Sequence, residues 1–132
     1  AQAYGWQEGL RSIPRVFVAN LIAMAAARRG PVVLAGSSLG AWIAGRVSLQ
    51  VPVAGLFLMA PPVRLDAAHP LQAAEVPLAV VHGWEDELIP AADVVGWAGA
   101  RRARLLLVDD DHRLTAHVDA SADAFTALLR SL

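Results

Sequence analysis

Three features of the sequence predict an α/β fold, a parallel sheet of about four strands flanked by helices. Four apolar runs are too short to be helices, the spacers between them carry helical periodicity, and glycine or proline bounds most of the runs. Runs without polar alternation suit strands buried on both faces, as in a sheet covered by helices on either side. Right-handed crossovers then line the four strands up in chain order, so that every strand ends on the same edge.

The first element is a helix from Ser12 to Arg29, where Ile13, Phe17, Leu21 and Met24 recur at helical spacing, Ser12 can cap the start and Pro14 falls in the tolerated first turn. Gly30 and Pro31 stop it. The first strand is expected near residues 32 to 36, followed at once by Gly36-Ser37-Ser38-Leu39-Gly40 and by a helix over Ala41 to Leu49, with Trp42, Ile43 and Val47 on its apolar side. The second and third strands are expected at 55 to 60, closed by Pro61-Pro62, and at 78 to 82, closed by His82-Gly83. The link from Val63 to Pro77 has room only for a short helix. Pro90 to Arg102 reads as a helix with the stripe Val94, Trp97 and Ala98, weakened by Gly96 and Gly99. The fourth strand is Arg104 to Val108, and the last segment places Val118, Ala122, Phe125 and Leu129 on one helical face.

Size and composition exclude several functions. The chain has 132 residues, 56% hydrophobic and 17% charged, which suits one globular domain. Eleven basic residues, all of them Arg, stand against twelve acidic ones for a net charge of -1, with no basic stripe to follow a phosphate backbone, so nucleic acid is not an expected partner. The longest apolar stretch, Val16 to Ala27, is interrupted by Asn20 and falls short of the roughly 20 residues of a membrane span. No membrane partner is expected. The start, Ala1-Gln2-Ala3, has no signal-peptide pattern, and the cytoplasm is the default location. The absence of cysteine removes disulfides and thiolate metal sites. A composition of Arg without Lys and abundant Ala points to a GC-rich bacterial coding sequence.

Three chemical groups sit just past strand ends, on the carboxyl edge where open parallel sheets place their sites. Gly36-x-Ser38-x-Gly40 lies between a strand and a helix, the setting in which a serine occupies a tight turn with its hydroxyl exposed. Serine needs a base to take its proton, and there are four histidines: His69, His82, His112 and His117. His82 closes the third strand and is expected to satisfy local backbone groups, His69 precedes Pro70 in a loop, and His117 lies at the last helix. His112 follows the fourth strand, after both serine and acid. The base needs a carboxylate, and Glu85, Asp86 and Glu87 compete in the turn after the third strand. Gly36 to Gly40 has no phosphate-loop lysine, and His112 and His117 are five apart where a zinc pair on one helix face needs four. Neither metal nor cofactor is indicated.

On these residues the chain resembles the α/β-hydrolase superfamily. Gly36-Ser37-Ser38-Leu39-Gly40 is similar to its nucleophile elbow. His82-Gly83-Trp84-Glu85-Asp86-Glu87-Leu88-Ile89-Pro90 is similar to its H-G-x-x-D-x-x-[VI]-P acid turn, and Asp111-His112 occupies its histidine loop. The resemblance implies Ser38 as nucleophile, Asp86 as acid, His112 as base and the Leu39 backbone N–H as one oxyanion donor. Trp42 and Trp84 are candidates for the walls of an acyl pocket, set against the commoner role of aromatic residues in the core. The sequence departs from the family in two places: Asp111 stands where the pattern often has glycine before the histidine, which bears on the geometry of the loop, and the family's earlier strands have no counterpart before Gly30.

The resemblance therefore implies residues 1–132 as a single, N-terminally incomplete domain, a truncated three-layer sandwich of the α/β-hydrolase kind. It implies hydrolysis of a small acyl ester or thioester through an acyl-serine intermediate. The alternative is a noncatalytic binding or assembly module that keeps the elbow as a tight turn. A homodimer, or further chain before Ala1, is the expected cover for the free edge of the first strand.

Overall fold

A computed structural model describes residues 30–132, so the helix expected over Ser12 to Arg29 lies outside the described residues. Four strands form one parallel sheet in chain order, β1 (Val33–Ser37), β2 (Gly55–Met59), β3 (Leu78–Gly83) and β4 (Arg104–Val108). Val33 pairs with Gly55, Leu56 with Leu78 and Ala79 with Arg104, so each strand begins near the level of its neighbour and all of them end along one edge.

Three helices complete the described residues: α1 (Leu39–Ser48), α2 (Ala91–Arg101) and α3 (Val118–Arg130). The alternation of side chains along a strand explains how they divide between two faces. Leu56 and Leu58 of β2, with Leu78 and Val80 of β3, pack on one face with Ala41, Ile43, Ala44 and Val47 of α1 and Val94 of α2. Phe57, Ala79 and Val81 face the other way, against Leu128 and Phe125 of α3. The Phe57 and Phe125 rings meet 5.0 Å apart and tilted by 56°, a geometry that adds about 0.5–1.5 kcal/mol beyond area burial. The result is a three-layer α/β/α arrangement whose two central strands are buried on both sides.

The link from residue 63 to 77 holds no helix. The Asp66 carboxylate accepts the Ala68 N–H at 2.8 Å, a local turn that competes with helix formation. Pro70 pairs with Arg64 in an isolated bridge, while Leu65 and Leu71 anchor the segment in the core. Ser48 fixes its far end by accepting the Ala74 N–H at 2.9 Å. Among the described residues no helix is long and apolar enough to cross a membrane.

Candidate active site

Ser38 is the single residue between β1 and α1, and it holds φ 56°, ψ −124°, a left-handed conformation that non-glycine residues seldom adopt. It is held there from both sides. Its N–H donates to the Met59 carbonyl of the neighbouring strand at 2.8 Å, and its own carbonyl accepts the Ala41 N–H at 2.9 Å to start α1. A Cβ on Gly36 would overlap the Gly40 carbonyl, whereas one on Gly40 would meet nothing within 4 Å among the described residues. Of the two glycines that bracket the serine, Gly36 makes the turn sterically feasible. Leu39 opens α1, so its N–H has no carbonyl one turn behind it within the helix.

The acid turn follows β3. Asp86 has a fully buried side chain whose Oδ1 accepts the N–H groups of Leu88 at 2.8 Å and Ile89 at 2.7 Å. Those two bonds fix its rotamer and aim Oδ2 at His112 Nδ1, 2.8 Å away. Glu85 and Glu87 are exposed on either side. Glu87 touches the site through the backbone, its carboxylate 3.4 Å from the His112 N–H, a contact that sequence spacing did not single out.

His112 lies beyond β4 on a loop that the acid turn grips. The Trp84 N–H donates to Val108 O at 2.9 Å and the Glu85 N–H to Asp110 O at 3.0 Å. Side chains of the acidic run shape the rest: Asp110 accepts the N–H groups of Asp111 and Ala116 and the Nδ1–H of His117, and Asp111 accepts the Arg113 N–H. Asp111, at the position of the family's glycine, thus makes the turn through its carboxylate. The hydrogen bond to His117 is the main cause that holds the Asp110 carboxyl below its ordinary value.

The loop brings His112 Nε2 to 2.7 Å from Ser38 Oγ, across 74 residues of sequence. Asp86, as carboxylate, accepts the Nδ1–H, which leaves the Nε2 lone pair toward the serine hydroxyl. The other histidines lie elsewhere or differently bonded. His69 pairs with Asp66 at 2.7 Å and His117 with Asp110 at 3.0 Å. His82 is wholly buried and bonds the Ile89 carbonyl at 2.9 Å, and its Nε2 also stands 3.4 Å from Asp86 Oδ2. Burial lowers its pKa, opposed in part by the Ile89 bond and the Asp86 charge.

The two tryptophans part company. Trp42 is buried in the core beneath the sheet, with Nε1 3.4 Å from the His69 carbonyl, while Trp84 is exposed beside the acid turn. An apolar hollow of about 440 Å³ lies on the α3 face, lined by Ala35, Ser37, Phe57, Met59, Leu114 and Phe125. Neither tryptophan lines it. Among the described residues no cluster of three or more His, Asp or Glu side chains is arranged to hold a metal ion.

The same fold recurs in solved structures. A protein from Xanthomonas campestris pv. campestris, described as a hydrolase of the alpha/beta superfamily, superposes with a TM-score of 0.86 at 59% identity, covering 90% of this chain and 70% of that one. The chain belongs to the α/β-hydrolase superfamily. A YdeN-like hydrolase from Pectobacterium atrosepticum matches with a TM-score of 0.69 at 25% identity, over 87% of this chain and 70% of its own. A lidless a/b serine hydrolase, also from X. campestris, shares the fold at 23% identity and a TM-score of 0.66, over 85% of this chain and 54% of its own. No protein-family model matches the chain, and no curated protein does.

Proposed function

We propose that this α/β-hydrolase-superfamily member is a serine hydrolase that cleaves a small carboxylic ester or thioester through an acyl-serine intermediate. One observation carries the reading: Ser38 Oγ is 2.7 Å from His112 Nε2 while His112 Nδ1 is 2.8 Å from Asp86 Oδ2, so a proton can pass from the hydroxyl to a base already oriented by a buried acid. In the forward step the Ser38 oxygen adds to the substrate carbonyl as His112 takes its proton. The imidazolium then gives that proton to the departing alcohol or thiol. Water, deprotonated by His112, releases the acid and restores the serine. The Leu39 N–H, at the start of α1, supports the oxyanion, and the helix dipole adds to it. The loss of one oxyanion donor costs roughly 100 to 1,000-fold in rate, which sets the scale of what the Leu39 N–H supplies.

The test is hydrolysis of p-nitrophenyl acetate by wild type and Ser38→Ala with matched circular dichroism. A wild-type rate well above buffer that Ser38→Ala lacks supports the reading. An equal rate in both removes Ser38 from the chemistry.

A second reading, a noncatalytic assembly module, draws on β1, which among the described residues is an edge strand with Ala35 and Ser37 exposed beside the apolar hollow. It predicts a concentration-dependent dimer by light scattering and no turnover.

A further inference from the structure

We infer that His82 is a positioning residue for the Asp86–His112 pair, closing the turn that presents the Asp86 carboxylate and steadying the oxygen that receives His112. The inference rests on the proposed hydrolase reading for its kinetic consequence, and on geometry for the rest. His82 sits at the end of β3 with its side chain fully buried, in a strand that is otherwise apolar. Its Nε2 is 2.9 Å from the Ile89 carbonyl, which has no proton to give, so Nε2 carries the hydrogen. In the neutral ring Nδ1 is then a bare acceptor, and it is buried without a partner among the described residues.

A buried nitrogen without a partner is costly, and a leucine or valine at this position would avoid it. What the imidazole supplies in exchange is a run of connected bonds. His82 holds the Ile89 carbonyl, and the N–H groups of Ile89 and Leu88 hold Asp86 Oδ1. Oδ2 is thereby left to His112 at 2.8 Å, with the His82 Nε2–H as a second neighbour at 3.4 Å. Asp86 and His112 are the charged or titratable groups that act on His82, and burial keeps its ring neutral between them. A neutral donor steadies the carboxylate without competing with His112 for its charge.

The test compares wild type, His82→Leu and His82→Gln by two readouts. One is kcat and KM on p-nitrophenyl acetate; the other is the far-downfield NMR resonance of the His112 Nδ1–H, assigned by its loss in His112→Gln. Leucine keeps bulk and burial without a donor, whereas glutamine returns an N–H near the place of Nε2. Where His82→Leu does not fold, His82→Asn takes its place, since the shorter amide falls short of the Ile89 carbonyl. The donor-less variant is expected to lose about 100-fold in kcat, the scale of an ångström-size misplacement, with the resonance shifted or broadened. KM should stay within about twofold, because the lost interaction acts in the chemical step. His82→Gln should recover about tenfold of that loss and the resonance with it. The resonance reports the Asp86–His112 bond whether or not ester is cleaved, so an inactive wild type counts against the hydrolase reading alone. An unchanged resonance in the donor-less variant, or equal defects in it and in His82→Gln, overturns the positioning role.

Discussion

Gly83 lies directly against the backbone of Asp110: a Cβ on this glycine would overlap the Asp110 carbonyl and come within 2.8 Å of the Asp111 carbonyl. The end of β3 and the loop that carries His112 are therefore in contact with no side chain between them, and the Glu85 N–H to Asp110 bond draws on the same approach. Because the obstacle is backbone, Gly83→Ala has to push the loop away. Activity on a short ester is expected to fall by about 100-fold as His112 leaves its place beside Ser38. Stability should fall by about 1–3 kcal/mol, the usual cost of overpacking. Kinetics beside a thermal melt check both.

The glycines of the elbow should behave unequally. Gly36→Ala drives a methyl into the Gly40 carbonyl and is expected to abolish activity and lower the melting temperature. Gly40→Ala faces open space among the described residues and lies in the first turn of α1. It should leave the melting temperature unchanged or raise it, since alanine favours a helix over glycine by up to about 1 kcal/mol. Paired melts of the two variants decide this.

Asp86→Asn is expected to keep the fold and lose about 10⁴-fold in kcat, as an amide in this role stabilises the wrong tautomer of its histidine. The asparagine oxygen can retain the Leu88 and Ile89 N–H bonds made by Oδ1, which turns its NH₂ toward His112 Nδ1. Nδ1 then accepts, Nε2 carries the proton, and Ser38 loses its base. Activity measured beside circular dichroism separates this loss from unfolding.

His82 gives stability an acid limb. Desolvation by burial lowers its pKa below the ordinary 6.5. The unfolded chain therefore takes up the proton first, and the contribution is whole above pH 6.5 and is lost as pH falls from there through the lower folded value. Melting curves should show the wild type losing its advantage over, or falling further behind, His82→Leu as pH drops through this window. A difference that stays constant with pH contradicts the assignment.

The sheet was legible because each strand is a bounded apolar run and two of the three spacers hold a helix, so chain order and crossover handedness left one arrangement. The boundaries moved by only a residue or so, β1 reaching Ser37 because its pairing with Met59 continues to the elbow. The convergence of Ser38, Asp86 and His112 on one edge was legible for the same reason, being a property of strand ends. Side-chain direction was not. Whether Trp42 faces the site or the core depends on the phase at which α1 leaves the strained Ser38, and that phase turns it into the core. The second contact of His82 was equally hidden, since a residue closing a buried strand reads as a local backbone partner until the turn beyond it folds back over the strand end. The link from 63 to 77 stayed free of helix because Asp66 makes a local turn and Pro70 bridges to Arg64, neither of which any periodicity announces.

Covalent labelling by a fluorophosphonate tests the central claim most directly, because it requires an activated hydroxyl and no knowledge of the natural substrate. Intact-mass measurement of the wild-type protein is expected to show one phosphonyl adduct, with the modified peptide carrying it on Ser38. Ser38→Ala should stay unmodified, and Asp86→Asn should react far more slowly. A folded wild type that takes up no label, or carries it on a residue other than Ser38, would contradict the account.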